Sequence, residues 1–232
     1  MRQVSIQQIM RGSKVKVLTF VNESKVLSAP DAASISSALG IFVAQVSKAW
    51  NLEEMSVVQA PTRSANGWNV CVVDHFPTYT MAYGYHEVLN GQPIAYILAG
   101  SFKNAPLGKY RPPMKFKNIL IRQEYYQQGT AAIVFHEVVE MLVDPGINTV
   151  SKPDSKGRTW LMEPADHVRG LLYKITAKDG RDVIAPNWTL PSFYDVHGVA
   201  PYSYIPSVTT PFTLTPEGYG YWKDASGNLN KL

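Results

Sequence analysis

With 232 residues, 45% of them apolar and 17% charged, the chain has the make-up of a globular protein with a real core, which excludes a disordered or low-complexity chain. The net charge of +4 is scattered rather than gathered into a Lys/Arg run, so no phosphate-tracking groove and no nucleic-acid partner are expected. One cysteine, Cys71 in "WNVCVV", excludes an intrachain disulfide and reads as a small buried hydrophobe.

The opening "MRQVSIQQIMRGSKVKV" lacks the apolar stretch of a secretory signal. No run of about 18 apolar residues is present to cross a bilayer. A cytoplasmic or virion-associated protein with no membrane partner is the expectation.

Residues 15–22, "VKVLTFVN", alternate and then run apolar, which predicts a strand. Ile35, Leu39, Phe42, Val43, Val46 and Trp50 then fall on one helical stripe. With Pro30 and Asp31 suited to a helix start, the pattern predicts an amphipathic helix over 31–50. "MSVVQAP" and "GWNVCVVDHFP" are short, rich in Val and ended by Pro, so both read as strands. Asn90-Gly91 supplies the positive φ angles of a type I′ turn and predicts a hairpin of strands 82–89 and 92–99.

Residues 101–118 read as a Pro-rich basic loop. A second helix follows over 131–143, with Gly129 or Thr130 as its cap and Pro145 ending it. "GINTVSKPDSKGRTW" is read as loop and "LMEPADHVRG" as a short polar stretch, before a hairpin over 171–185 around Asp179-Gly180. From Asn187 the chain is dense in Pro, Tyr, Thr and Gly, which excludes helix. It predicts extended segments wrapped on the body or docked on a partner. The division expected is a body at 1–186 and an extension at 187–232.

The second helix carries the chemistry. Ten of the thirteen residues from Ala131 to Val143 are apolar, and the exceptions are His136, Glu137 and Glu140. His136 and Glu140 are one turn apart on the same face, a spacing that lets two side chains grip one cation. Glu137 lies about 100° round the helix, placed to act on a water as a general base. This varies the His-Glu-x-x-His device, with a harder carboxylate in place of the second histidine. Asp144 falls on the same face one turn further on.

A third ligand has to come from elsewhere. "WLMEPADHV" offers Glu163, Asp166 and His167, and the spacing leaves open whether Glu163 and Asp166 are both ligands or a ligand and its support, with Asp144 and His167 as outer partners. The alternatives are a buried His–carboxylate network without metal and an ordinary exposed helix edge. Burying three ionisable groups without partners costs several kcal/mol each, which favours a cation. His86-Glu87 lies on a predicted strand that sends the two side chains to opposite faces, so the pair cannot hold one ion together. Asp74-His75 and His197 read as a strand end and a loop. No Gly-x-Ser-x-Gly elbow is present.

The order strand, long helix, strands, hairpin and metal helix resembles the zincin metallopeptidases. "FHEVVEMLVDP…W…EPAD" is similar to a His-Glu-x-x-Glu-x-x-x-Asp-Pro…Trp…Glu-x-x-Asp pattern associated with exordium-type secreted proteins and with bacterial and bacteriophage metalloprotease-like proteins. The matching residues are His136, Glu137, Glu140, Asp144, Pro145, Trp160, Glu163 and Asp166. Val168 stands where the secreted members often carry a cysteine.

The resemblance implies an α+β fold in which a mixed sheet packs over two helices and an edge strand near the metal holds extended substrate, here the 92–99 strand. It implies a divalent metal, zinc first, with calcium or manganese the alternatives for a carboxylate-rich set. Two functions follow. One is a metal-dependent peptidase or hydrolase acting on peptide. The other is a catalytically inert virion or assembly protein that keeps the metal as a staple and binds other assembly proteins. A carbohydrate-binding module rests only on the Tyr and Trp content of the tail.

Overall fold

The computed structural model describes residues 16–77, 82–109 and 129–232, together with two short strands at 114–116 and 119–121. The fold is α+β. A five-stranded mixed sheet contains β1 (Lys16–Asn22), β2 (Met55–Ala60), β3 (Trp68–Val73), β4 (Gly84–Leu89) and β5 (Gln92–Leu98), in the order β2-β1-β3-β5-β4. β1 pairs in parallel with β2 and β3, and β3 with β5. β4 alone is antiparallel, to β5.

That antiparallel pair follows from the turn: Asn90 and Gly91 adopt φ of 51° and 78°, as a two-residue I′ hairpin requires. The hairpin corrects one expectation. The 92–99 strand lies inside the sheet between β3 and β4, so β4 is the edge.

α1 (Ala29–Trp50) begins two residues before the predicted start. The Ser28 hydroxyl accepts the Asp31 N–H, and Asn51 closes the helix in the left-handed conformation. α1 passes for a membrane span by length and composition alone, but polar residues interrupt it and 56% of its most apolar window is buried within the protein. Its stripe of Ile35, Leu39, Phe42, Val43 and Val46 meets Leu18, Phe20, Val70, Val72 and Ile97 of the sheet.

α2 (Thr130–Val143) joins the same layer. Phe42 of α1 stacks on Phe135 of α2 with ring centroids 4.9 Å apart. Each such fully buried side chain contributes about 1.5–3 kcal/mol by leaving water. Val21, Cys71, Val73, Ile94 and Tyr96 point to the other face, where Phe76 and Tyr85 cover them.

The predicted loop at 101–118 lies partly outside the described residues. A single 3-10 turn runs from Ala99 to Phe102, and β6 (Met114–Phe116) pairs with β7 (Ile119–Ile121). The 171–185 hairpin forms as β9 (Leu172–Thr176) and β10 (Asp182–Pro186).

The extension wraps on the body. Its Phe193, Tyr194, Tyr202 and Val208 cluster with Val168, and Trp50 of α1 donates its indole N–H to the Thr189 carbonyl at 3.1 Å. β11 (Tyr221–Lys223) pairs with β12 (Leu229–Lys231) and with β8 (Thr159–Trp160). One 3-10 turn at Pro191–Tyr194 is the extension's only described helical element.

Candidate metal centre

α2 enters the site through a tight N-terminus. A Cβ on Gly129 would stand 2.3 Å from the Ala105 carbonyl oxygen, so only glycine allows this approach. The next residues bury nearly all round, and His136 keeps partial access, its side chain 18% exposed. Its Nε2 lies 3.3 Å from Glu140 Oε1 and 3.2 Å from Asp166 Oδ1. Both oxygens are buried, and apart from this imidazole nitrogen neither has a hydrogen-bond partner. One nitrogen and two carboxylate oxygens therefore converge, one turn of helix supplying two and the 161–169 segment the third.

Of the two acids left open as third ligand, Asp166 joins this set. Glu163 is 6% exposed, and its Oε1 also lacks a partner, but it stands outside the converging trio. Burial, then the Glu140 charge, pushes its carboxyl up to about 9 against the attraction of His86. Burial likewise pushes Glu140 up to about 8, with His136 opposing and Asp166 adding to the rise. Burial works against charge on His136, but Glu140 and Asp166 outweigh it and hold the imidazole well above its ordinary value. These are the signs of buried acids lacking a counter-charge.

The segment "LMEPADHVRG", read as polar, is mostly buried: Leu161, Glu163, Ala165, Asp166, His167 and Val168 all lie inside. The tail holds it there, because Tyr219 N–H donates to the Asp166 carbonyl and Thr215 N–H to that of His167, both at 3.1 Å. The predicted outer partners Asp144 and His167 are both buried beside the centre. The Asp144 carboxylate accepts the Asn148 and Thr149 N–H groups, closing the loop after α2. His167 points into an aromatic pocket of Trp160, Phe193 and Tyr194. Its Nδ1 meets the Tyr194 hydroxyl at 3.0 Å, and burial pushes the ring down to about 4.

The sequence reading set one residue aside, His86, and missed another, Tyr219. His86 faces α2 from β4, its Nδ1 3.5 Å from Glu137 Oε2 and its Nε2 3.2 Å from the Asp144 carbonyl. Strand alternation separates His86 from Glu87, as expected, but leaves His86 free to meet a partner from α2. Tyr219 comes from the tail. Burial raises its phenol, as do the neighbouring Asp166 carboxylate and its hydrogen bond to it. The signal for Tyr219 was absent, since its neighbours in sequence are ordinary turn residues.

Gly84 makes the approach of β4 to α2 possible: a Cβ there would lie 2.7 Å from Ile133 Cγ2 and 2.9 Å from Glu137 Oε1. A cavity of about 230 Å³ opens at this junction, lined by Tyr83, Gly84, Ile133, His136, Glu137 and Tyr219. Asp74 serves a local turn instead, accepting from Ser24 and the Lys25 N–H, and His197 is an exposed loop residue.

The donor set fits a divalent metal. Bonds of about 2.0–2.2 Å to nitrogen and oxygen place neighbouring ligands roughly 3–3.5 Å apart around one ion, which the separations of 3.2 and 3.3 Å from His136 meet. The unpartnered oxygens are what such an ion would satisfy. Compared with models of protein families, with curated proteins and with solved structures, the chain matches none.

Proposed function

We propose that this chain is a zincin-like metal-dependent hydrolase acting on peptide, with His136, Glu140 and Asp166 holding the ion and Glu137 as general base. The observation that carries the reading is the cavity at the edge of the sheet, where His136 and Glu137 meet the antiparallel strand β4. Among the described residues no strand pairs with the outer edge of β4, so its backbone is available to an extended peptide in the manner of β-augmentation. The mixed sheet over two helices, with the His-Glu-x-x-Glu helix beneath that edge, supports the zincin resemblance.

A divalent cation at this place would supply Lewis acidity, polarising a carbonyl and making a water more acidic. The chain's own residues do the rest. Glu137 lines the cavity and is positioned to accept a proton from water and return it to a leaving amine. Tyr83 and Ile133 line the cavity beside Glu137, and burial of Glu140 and Asp166 keeps bulk water from the ligand oxygens.

The test is cleavage of a peptide library by chelator-treated protein reloaded with zinc or manganese. Wild type is expected to cleave. Glu137→Gln is expected to lose about 10²–10⁴-fold in rate while the His136 ion stays bound. Absence of cleavage by fully loaded wild type removes the peptidase reading.

A second reading has its own support: the tail straps the Asp166 segment through two backbone hydrogen bonds, as a structural staple would need. It predicts a loaded protein without cleavage that co-purifies with a larger assembly, bacteriophage virion particles being the kind the motif suggests.

A further inference from the structure

The donor atoms of this centre fall into two sets, not one. His136, Glu140 and Asp166 form the first. His86, Glu137 and Glu140 form the second, and within each set the ligand atoms lie within 4.8 Å of one another. Glu140 belongs to both.

His86 is oriented for ligation. Its Nε2 lies 3.2 Å from the Asp144 carbonyl, which can only accept, so Nε2 carries the hydrogen. That leaves Nδ1 facing Glu137 Oε2 at 3.5 Å. Metal-binding histidines commonly donate their second N–H to a backbone carbonyl, which fixes the tautomer. The gap is longer than the ~2.7–2.9 Å of a charge-assisted N–H···O hydrogen bond. It also matches the separation of two ligands on one ion.

Glu163 gives an independent sign. Its Oε1 is buried and has no hydrogen-bond partner, and residues of both sets, Glu140, His86 and Asp166, lie near enough for their charges to act on it. Four acids, Glu137, Glu140, Glu163 and Asp166, are buried around this centre. Buried charge without compensation is strongly unfavourable.

We propose that the chain binds a second divalent cation at His86, Glu137 and Glu140, with Glu140 shared between the two ions. The proposal rests on the first set holding a cation. It deepens the role of Glu137 without removing it: Oε2 faces His86, while Oε1 lies against Gly84 at the cavity wall.

The experiment loads chelator-treated full-length chain with Mn(II), removes the excess, and measures manganese per chain and the paramagnetic resonance spectrum. Two ions in wild type, one in His86→Ala, and an exchange-coupled wild-type spectrum are expected. One ion in wild type, or two retained by His86→Ala, overturns the second site and leaves the first intact. No ion in wild type overturns both this proposal and the proposed function. The wild-type spectrum decides without any variant, since two isolated six-line signals would overturn the shared carboxylate.

Discussion

His136 Nε2 and Asp166 Oδ1 stand 3.2 Å apart and tie a regular helix to a segment with almost no regular structure of its own. Without a cation between them, buried acids and one imidazole must share too little positive charge. Divalent metal is therefore expected to stabilise the folded state. At a free concentration 100 times its dissociation constant, one ion adds about 2.7 kcal/mol, roughly 5–10 °C in Tm for a chain of this size. Thermal unfolding with zinc and with a chelator measures the increment. Asp166→Ala is expected to remove most of it, and an unchanged increment in that variant would place the ion elsewhere.

Gly84 sets how closely β4 approaches α2. Gly84→Ala puts a methyl group within 2.7 Å of Ile133 Cγ2 and 2.9 Å of Glu137 Oε1, so strand, helix or both must move. Overpacking of this kind costs about 1–3 kcal/mol, readable as a lower urea midpoint at unchanged slope. The same shift displaces Glu137, so metal content and any cleavage should fall together. A variant as stable as wild type would show that β4 moves freely.

The elements legible in the sequence were those whose signal is local. The stripe from Ile35 to Trp50, the Asn90-Gly91 turn and the apolar helix around His136 each follow from spacing and backbone preference within one segment. What stayed hidden depends on contacts between distant segments. Alternation gives β4 two faces, but only the sheet order reveals that the face of Gly84 and His86 meets α2. Strand order also decides that β4 and not β5 is the edge, and no local pattern encodes it. "LMEPADHVRG" looks polar because its acids are counted as solvent-seeking. In the fold, backbone hydrogen bonds from Thr215 and Tyr219 help hold it inside.

Cys71 lies on the sheet face opposite the helices, fully buried among Val21, Val73, Ile94 and Tyr96. Burial pushes its thiol up to about 12. Thiolate, not thiol, is the nucleophile, so the native protein should resist iodoacetamide at pH 8 and react fully once unfolded in guanidinium. Rapid native labelling would mean that the outer face of the sheet opens.

The hairpin of β9 and β10 is clamped to the start of α1 by charge. Arg181 donates to Asp31 Oδ1 at 2.8 Å and to Asp179 Oδ2 at 2.8 Å, and the Ser34 hydroxyl donates to the same Asp179 oxygen. The Ser34 hydrogen bond first, then Arg181, lowers the Asp179 carboxyl to about 2 from an ordinary 3.8. A depressed folded-state value favours the folded protein above the unfolded-state value, and that contribution is lost as pH falls from 3.8 toward 2. Carboxylate titration by NMR should place the Asp179 midpoint near the lower figure. Asp179→Asn should flatten the acid limb of the stability curve between those two pH values while leaving the slope above pH 5 unchanged. The group is exposed, so high salt should shrink the effect. A midpoint near 3.8 in the folded protein would mean that the Ser34 and Arg181 contacts do not hold the carboxylate in solution.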